Sequence, residues 1–140
     1  MLGGVRVPYE RGLEGHSDGD CLIHAVCDAL LGAAGAGDMG RHFPSADARW
    51  KGAESMVFIA EVARLLATAG FAVENVDATL IAQAPHLAPY LDDMRDGIAR
   101  ALGLDSAAVS VKAKSTDGLG AVGRGEGIAA QVVALLRKDH

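Results

Sequence analysis

The spacing of apolar positions predicts a chain of mixed helices and strands. Residues 2–8 alternate weakly between apolar and polar side chains, which predicts a short strand that ends at Pro8. Apolar positions three and four residues apart predict one helix from near Asp20 to near Gly35 and a second helix over 53–69.

The second half of the chain begins with the clearest strand pattern, which ends at Pro85. Its inward positions are Val76, Ala78, Leu80 and Ala82. A helix is predicted over 90–102, with Pro89 at its start, and an alternating strand over 109–113. The last apolar run, 128–136, fits either a helix or a buried strand, because an unbroken apolar run has no period.

Potential metal ligands and proton carriers are concentrated between residues 16 and 40: His16, Asp18, Asp20, His24, Asp28 and Asp38. On a helix capped by Ser17 or Asp18, His24 lies beside the apolar stripe, one turn from Asp20 and from Asp28. It can present one ring nitrogen to a metal ion while one of these acids orients the other nitrogen. The alternative is a hydrogen-bonded histidine at the edge of the core, surrounded by solvated acids.

The connection 35–52 is long for a segment without predicted structure. It contains Asp38, His42, Phe43 and Trp50, a content typical of a lid or an ordered binding loop. A mobile surface crossover fits the same sequence.

The glycine-rich loop 114–127 can bind an anion, because glycines let backbone N–H groups approach it closely. Ser115 and Thr116 add hydroxyl donors, Arg124 offers a planar fork for phosphate, and Asp117 can hold a hard divalent ion. With the histidines of the first helix region, this loop suits phosphoryl transfer. A flexible hairpin is the alternative.

Composition narrows the class of protein. A net charge of −5 argues against a nucleic-acid surface, and no apolar run approaches the length of a membrane span. Cys21 and Cys27 point in different directions on one predicted helix and cannot bridge, which favours a reducing compartment. Together with the lack of a signal-peptide pattern, these features predict a single cytoplasmic domain over residues 1–140, with no nucleic-acid or membrane partner.

Four stretches of the sequence resemble one enzyme family. They are GGVRVPYERGL, HSDGDCLIHAVCDALLGAAGAGDMGRHFP, NVDATLIAQAP and VKAKSTDGLGAVGRGEGIAA, in family order and spacing. The match covers nearly the whole chain, and HSDGD-x3-HA together with GRGEGIA is highly specific. The chain is identified by this resemblance as a member of the 2-C-methyl-D-erythritol 2,4-cyclodiphosphate synthase family of non-mevalonate isoprenoid biosynthesis.

The resemblance implies an α+β fold with a ferredoxin-like mixed β-sheet packed on helices, in which the last apolar run is a strand. It implies a homotrimer with active sites between subunits. The implied enzyme is a phosphorus–oxygen lyase. In its reaction the 2-phosphate of 4-diphosphocytidyl-2-C-methyl-D-erythritol 2-phosphate attacks the β-phosphorus of the diphosphate, which closes the cyclic diphosphate and expels CMP.

The resemblance also assigns functions to individual positions. His24 matches a zinc ligand, and Asp117 matches the acid that holds Mg²⁺ or Mn²⁺ at the substrate diphosphate. His16 matches the residue that stabilises the transition state, and Ser115 stands in the second such position, where the family commonly has threonine. The implied substrate-binding residues are His16, Ser17, Asp38, Met39, Gly40, Phe43, Pro44, Ser45, Ala46, Asp47, Ala82, Gln83, Ala84, Pro85, His86, Leu87, Ala88, Lys114, Ser115, Thr116, Asp117, Ala121 and Arg124.

One feature departs from the family pattern. The family opens with a strand whose Asp-x-His pair supplies the other zinc ligands, and no Asp-x-His occurs in this sequence. Because catalytic zinc usually has three protein ligands, we expect that the start site was placed too far downstream or that the gene is incomplete. A natural chain of this length is expected to bind zinc weakly and to turn over little. Two alternatives are a non-catalytic trimeric module that keeps the nucleotide and isoprenoid-diphosphate pockets, and an unrelated ferredoxin-like nucleotide-binding domain.

Overall fold

A computed structural model describes residues 1–8, 20–44, 47–50 and 53–139 of the chain. They form helices packed on one face of a small mixed sheet, so the predicted α+β class is confirmed. The helices are α1 (Cys21–Ala33), α2 (Met39–His42), α3 (Ser55–Thr68), α4 (Leu91–Leu102) and α5 (Gly120–Gly123). The strands are β1 (Phe71–Ile81), β2 (Val109–Lys114) and β3 (Ala129–Lys138). Within the described ranges, none of the helices has the length and apolar character needed to cross a membrane.

The sheet brings three loops to one of its edges. Its strand order is β2-β1-β3, with β1 parallel to β2 and antiparallel to β3. Ile81, at the end of β1, pairs with Lys114 at the end of β2 and with Ala129 at the start of β3. The chain segments after β1, after β2 and before β3 therefore lie side by side. The last apolar run is a strand, as the resemblance implies.

The core lies between the helices and the inner face of the sheet. Val76, Ala78 and Leu80 of β1 are each at most 1% exposed, as their alternation predicts. The opposite face of β3 carries Val133 and Leu135, which are 73% and 59% exposed. Apolar side chains therefore occur on both faces of β3, which explains why its sequence has no alternation.

The predicted strand over 2–8 is wrong. The structure has a tight turn there, closed by two backbone hydrogen bonds of 2.8 Å between Leu2 and Val5. Gly3 and Gly4 have φ values of 57° and 76°, in the left-handed region that glycine adopts without steric cost. Two consecutive residues in this region reverse the chain and prevent an extended strand.

The predicted helix ends differ by a few residues from those observed. The N-cap of α1 is Asp20, whose carboxylate accepts the N–H of Ile23 at 3.0 Å. The proposed caps Ser17 and Asp18 lie outside the described residues. The long connection 35–52 contains the single turn of α2, so part of it is an ordered segment.

Candidate functional site

A pocket of about 230 Å³ lies at the sheet edge where β1 and β2 end. It brings together two of the predicted sets, 82–88 and 114–117, because parallel strands deliver the segments that follow them to the same edge. The lining residues are Ala82, Gln83, Pro85, His86, Leu87, Ala88, Leu91, Ala113, Lys114 and Ser115. Leu91 and Ala113 were missed by the sequence analysis, although they adjoin predicted segments. The walls combine apolar side chains with the polar groups of Gln83, His86, Lys114 and Ser115.

The turn that follows β2 presents the predicted catalytic and metal-binding side chains. Asp117 has a φ of 54°, and it is the only non-glycine residue with positive φ in the described parts of the chain. Its N–H donates to the Ser115 hydroxyl at 3.3 Å, and this hydroxyl donates to the Asp117 carboxylate at 3.4 Å. The Thr116 hydroxyl donates to the carbonyl oxygen of Leu119 at 2.6 Å. The exposed Ser115 and Asp117 side chains are thus placed together beside the pocket.

Two hydrogen bonds join this turn and its strand to the opposite wall of the pocket. The Ala82 N–H donates to the Lys114 carbonyl oxygen at 2.9 Å, which extends the β1–β2 ladder by one residue. The Gly118 N–H donates to the side-chain oxygen of Gln83 at 3.0 Å. The latter contact links residues 35 positions apart in sequence.

Two further predicted residues of the glycine-rich loop, Ala121 and Arg124, are not among the residues that line this pocket. Arg124 forms a 2.9 Å ion pair with Glu126, and both side chains are more than half exposed. Ala121 is exposed on α5. Because a surface ion pair contributes little to stability, the guanidinium of Arg124 remains available to an anion.

His24 has a buried ring nitrogen for which the described residues supply no partner. Its Nε2 atom is inaccessible to solvent and has no hydrogen bond within the described part of the chain. The ring contacts Phe58 edge to face, with 6.0 Å between the ring centroids. A buried polar atom without a partner is costly, so this nitrogen is expected to have a ligand. Within the described residues, Nε2 lacks the hydrogen-bond partner that the predicted alternative, a hydrogen-bonded core histidine, requires.

The two acids expected to orient the His24 ring are engaged elsewhere. The Asp20 carboxylate is fully buried and accepts hydrogen bonds from backbone N–H groups and from Ser55. Asp28 accepts the N–H of Met39 at 2.9 Å, which ties α1 to α2. The described residues contain no group of three His, Cys, Asp or Glu side chains that could hold a metal ion. His24 therefore fits as one ligand of a divalent ion, and the described residues do not complete the set.

The start of the predicted loop segment, from Asp38 to Phe43, lies beside α1 and α3, the helices that carry His24 and Phe58. Asp38 caps α2 by accepting the N–H of Arg41 at 3.1 Å. Phe43 is buried and packs edge to face on Trp50 and Phe58, with centroid distances of 4.8 and 5.1 Å. Phe58 therefore links His24 to this segment, a role the sequence analysis missed because α3 showed only helical spacing.

The structure does not place the remaining predicted residues in either part of the site. His16, Ser17, Ser45 and Ala46 lie outside the described residues, and Pro44 is exposed. Asp47 pairs with Arg49 at 2.9 Å, and hydrogen bonds from Arg49 hold the pKa of this carboxyl below its usual value.

The described site residues thus form two sets. One set surrounds the pocket at the ends of β1 and β2, and the other surrounds His24 and the segment that begins at Asp38. Within the described ranges, no hydrogen bond or ring contact joins a residue of one set to a residue of the other.

Comparison with known proteins identifies the family. The model of the YgbB family matches residues 1–137. The chain is 58% identical over 136 residues to the 2-C-methyl-D-erythritol 2,4-cyclodiphosphate synthase of Moorella thermoacetica, covering 97% of this chain and 83% of that protein. It is 57% identical to the enzyme of the same name from Xylella fastidiosa, covering 97% of this chain and 77% of that protein.

Solved structures agree. The bifunctional IspDF of Campylobacter jejuni superimposes with a TM-score of 0.93 and 39% identity, over 99% of this chain and 37% of that protein. A 2C-methyl-D-erythritol-2,4-cyclodiphosphate synthase in a form bound to CDP gives a TM-score of 0.88 and 34% identity, over 98% of this chain and 89% of that protein. The chain therefore belongs to the YgbB family of 2-C-methyl-D-erythritol 2,4-cyclodiphosphate synthases.

Proposed function

We propose that this chain converts 4-diphosphocytidyl-2-C-methyl-D-erythritol 2-phosphate into 2-C-methyl-D-erythritol 2,4-cyclodiphosphate with release of CMP. Relatives at 57–58% identity across nearly the whole chain are named for this reaction, which favours the enzyme over a non-catalytic binding module. The observation of the structure that carries the proposal is the pocket at the ends of β1 and β2, with Ser115 and Asp117 beside it.

The pocket would hold the cytidine. Its volume and its mixed wall, with apolar side chains beside hydrogen-bonding groups, suit one heterocyclic base. Relatives whose solved structures are described as CDP complexes support a nucleoside diphosphate as its ligand. A base in this pocket directs its phosphates towards the turn 115–118, because that turn continues directly from the lining residues Lys114 and Ser115.

The reaction is an internal phosphoryl transfer. An oxygen of the 2-phosphate forms a bond to the β-phosphorus, the bond from that phosphorus to the bridging oxygen breaks, and CMP leaves with the bonding electron pair. Such transfers need positioning and neutralisation of charge more than covalent help from the protein. In this proposal Ser115 and His16 donate hydrogen bonds to the transferring phosphoryl oxygens, and Arg124 supplies positive charge nearby.

Two divalent ions are part of the proposal. Asp117 would hold Mg²⁺ or Mn²⁺ at the diphosphate. The Nε2 atom of His24, which has no partner among the described residues, would bind a second ion, proposed to be Zn²⁺. Such ions neutralise phosphate charge and fix the two reacting phosphates relative to each other. Because catalytic zinc takes three protein ligands, the further ligands would come from outside the described residues.

We also propose a homotrimer in which each active site combines residues of two subunits. The separation of the site residues into two sets within one chain supports this arrangement, as does the apolar outer face of β3.

The segment 38–47, with Ser17, would bind the methylerythritol part of the substrate. The free thiols Cys21 and Cys27 support a cytoplasmic location.

The test is CMP release by the purified chain in Mg²⁺. We expect Ser115→Ala to reduce the rate roughly 100-fold, the typical effect of removing one donor to a developing charge. Ser115→Thr retains the hydroxyl and should keep most of the activity. A chain extended at its N-terminus by a strand with Asp-x-His tests whether further zinc ligands are required. If the chain and its extended form both fail to release CMP and both fail to bind CDP, the proposal is wrong.

A further inference from the structure

In the described part of the chain, the turn 115–118 has a single hydrogen bond to a distant part of the fold. Within the described residues, its other bonds join Ser115 to Asp117 and Thr116 to Leu119, all inside the same loop. The exception is the 3.0 Å bond from the Gly118 N–H to the side-chain oxygen of Gln83. Gln83 lies immediately after β1, in the wall of the pocket.

The bond from Gly118 to Gln83 restrains the backbone next to Asp117, whose φ is positive. Asp117 has a φ of 54°, in the left-handed region that residues other than glycine adopt uncommonly. The bonds between Asp117 and Ser115 are long, at 3.3 and 3.4 Å, and so hold the turn weakly. The Gly118 N–H belongs to the peptide plane that directly follows Asp117. Holding this N–H therefore restrains ψ of Asp117 and with it the direction of the Cα–Cβ bond that carries the carboxylate.

We propose that Gln83 is a positioning residue, whose side-chain oxygen holds the Asp117–Gly118 peptide and so directs the Asp117 carboxylate at the metal-bound diphosphate of the nucleotide. This inference rests on the proposed function, in which Asp117 holds the divalent ion. Gln83 itself contacts neither the ion nor the reacting atoms. Because Gln83 and Gly118 are both exposed, substitution of Gln83 should leave the core unchanged.

Nucleotide binding separates this role from a contact with the base. CMP occupies the cytidine pocket without a β-phosphate, whereas CDP in Mg²⁺ also engages the ion at Asp117. Calorimetric titration of the full chain with CMP, with CDP in Mg²⁺ and with CDP in EDTA gives the gain in affinity that depends on Mg²⁺.

Two substitutions of Gln83 keep a side chain of nearly the same length but differ in whether it carries an oxygen that can accept the Gly118 N–H. Gln83→Met removes it, and Gln83→Glu keeps an oxygen in the same position. We expect Gln83→Met to lose about tenfold of the Mg²⁺-dependent gain, the scale of one hydrogen bond. Because Gln83 also lines the cytidine pocket, the readout is the ratio of CDP affinity in Mg²⁺ to CDP affinity in EDTA, in which any change in base binding cancels. Gln83→Glu should retain the gain, because a carboxylate oxygen accepts the Gly118 N–H at least as well.

The possible failures are distinguishable. If the wild-type chain binds neither CMP nor CDP, the proposed function is wrong and this inference falls with it. If the wild type binds and Gln83→Met keeps the full Mg²⁺-dependent gain, the inference alone is wrong. Equal weakening of CMP and CDP by Gln83→Met would show that Gln83 contacts the base, and this also overturns the positioning role.

Discussion

The hydroxyl of Ser55 donates a 2.7 Å hydrogen bond to the buried carboxylate of Asp20, across 35 positions of sequence. The same carboxylate accepts the N–H groups of Gly3 and Gly4, each at 2.9 Å, and of Ile23 at 3.0 Å. A buried carboxylate is tolerated only when donors satisfy its oxygens. Asp20 thereby joins the N-terminal turn, α1 and α3.

Removing the acceptor should cost far more stability than removing one donor. Asp20→Ala leaves several buried N–H groups without a partner, so we expect at least about 3 kcal/mol of destabilisation in urea unfolding. Ser55→Ala removes one of the donors and should cost roughly 1–2 kcal/mol. The control is Ser110→Ala on the exposed face of β2, expected to lie within about 0.5 kcal/mol of wild type. Equal effects of Ser55→Ala and Ser110→Ala would contradict this account.

His24 should show opposite effects on stability and function. His24→Phe keeps an aromatic ring against Phe58 and removes the buried Nε2, which has no partner among the described residues, so stability should stay equal or rise by up to about 1 kcal/mol. The variant should lose affinity for a divalent ion, measured by competition with a chromophoric chelator, and should lose CMP release. A structural histidine would give the reverse, destabilisation with unchanged metal affinity.

His42 provides the matched control for that substitution. Its Nε2 bonds to the carbonyl oxygen of Ala36 at 2.7 Å. His42→Phe should therefore destabilise the fold by about 1 kcal/mol while leaving metal affinity unchanged.

The sequence predicted those parts of the fold whose determinants are local. The alternation of Val76, Ala78 and Leu80 placed β1 and its buried face correctly, because one face of that strand packs on helices and the other does not. β3 remained ambiguous from the residues alone, since Leu135 and its neighbours are apolar on the outer face as well. The resemblance to a family was needed to assign it as a strand.

Contacts between distant residues account for what the sequence did not predict. Nothing in residues 2–8 indicates that Gly3 and Gly4 bend towards Asp20, which is 17 and 16 positions away, respectively. Periodicity likewise carries no signal for the bond between Gln83 and Gly118. Residue chemistry alone singled out His24, Ser115, Thr116, Asp117 and Arg124. The resemblance supplied most of the other site positions, whereas the supporting contacts required coordinates.

Cys27 should make the fold less stable at alkaline pH. Burial raises the pKa of its thiol far above the ordinary 9.0, and Asp28 and Asp20 act in the same direction. Above pH 9 the unfolded chain loses this proton and the folded chain keeps it. The unfolded state then binds fewer protons, so the free energy of unfolding decreases by up to about 1.4 kcal/mol per pH unit from this group.

Urea unfolding at pH 8 and at pH 10 tests this linkage. Cys27→Ala should lose less stability between these pH values than the wild type, although its stability at pH 8 is lower because of the cavity. The control is Cys21→Ala, since Cys21 is only half-buried and its pKa is raised to a lesser extent by the same kind of burial. Identical pH dependence of wild type and Cys27→Ala would rule out a contribution from this thiol.

The outer face of β3 should control assembly. Val133 and Leu135 are 73% and 59% exposed, and adjacent apolar side chains on a sheet face are costly in water unless another surface covers them. Leu135→Asp would place a charge in a subunit interface, so light scattering should show a loss of the species with three times the 14.4 kDa mass of one chain. Val57→Asp is the control, because Val57 is 46% exposed but lies on α3, away from this face. Since each proposed active site needs two subunits, Leu135→Asp should also abolish CMP release. If Leu135→Asp instead keeps the mass of the wild-type assembly, this face is not the interface.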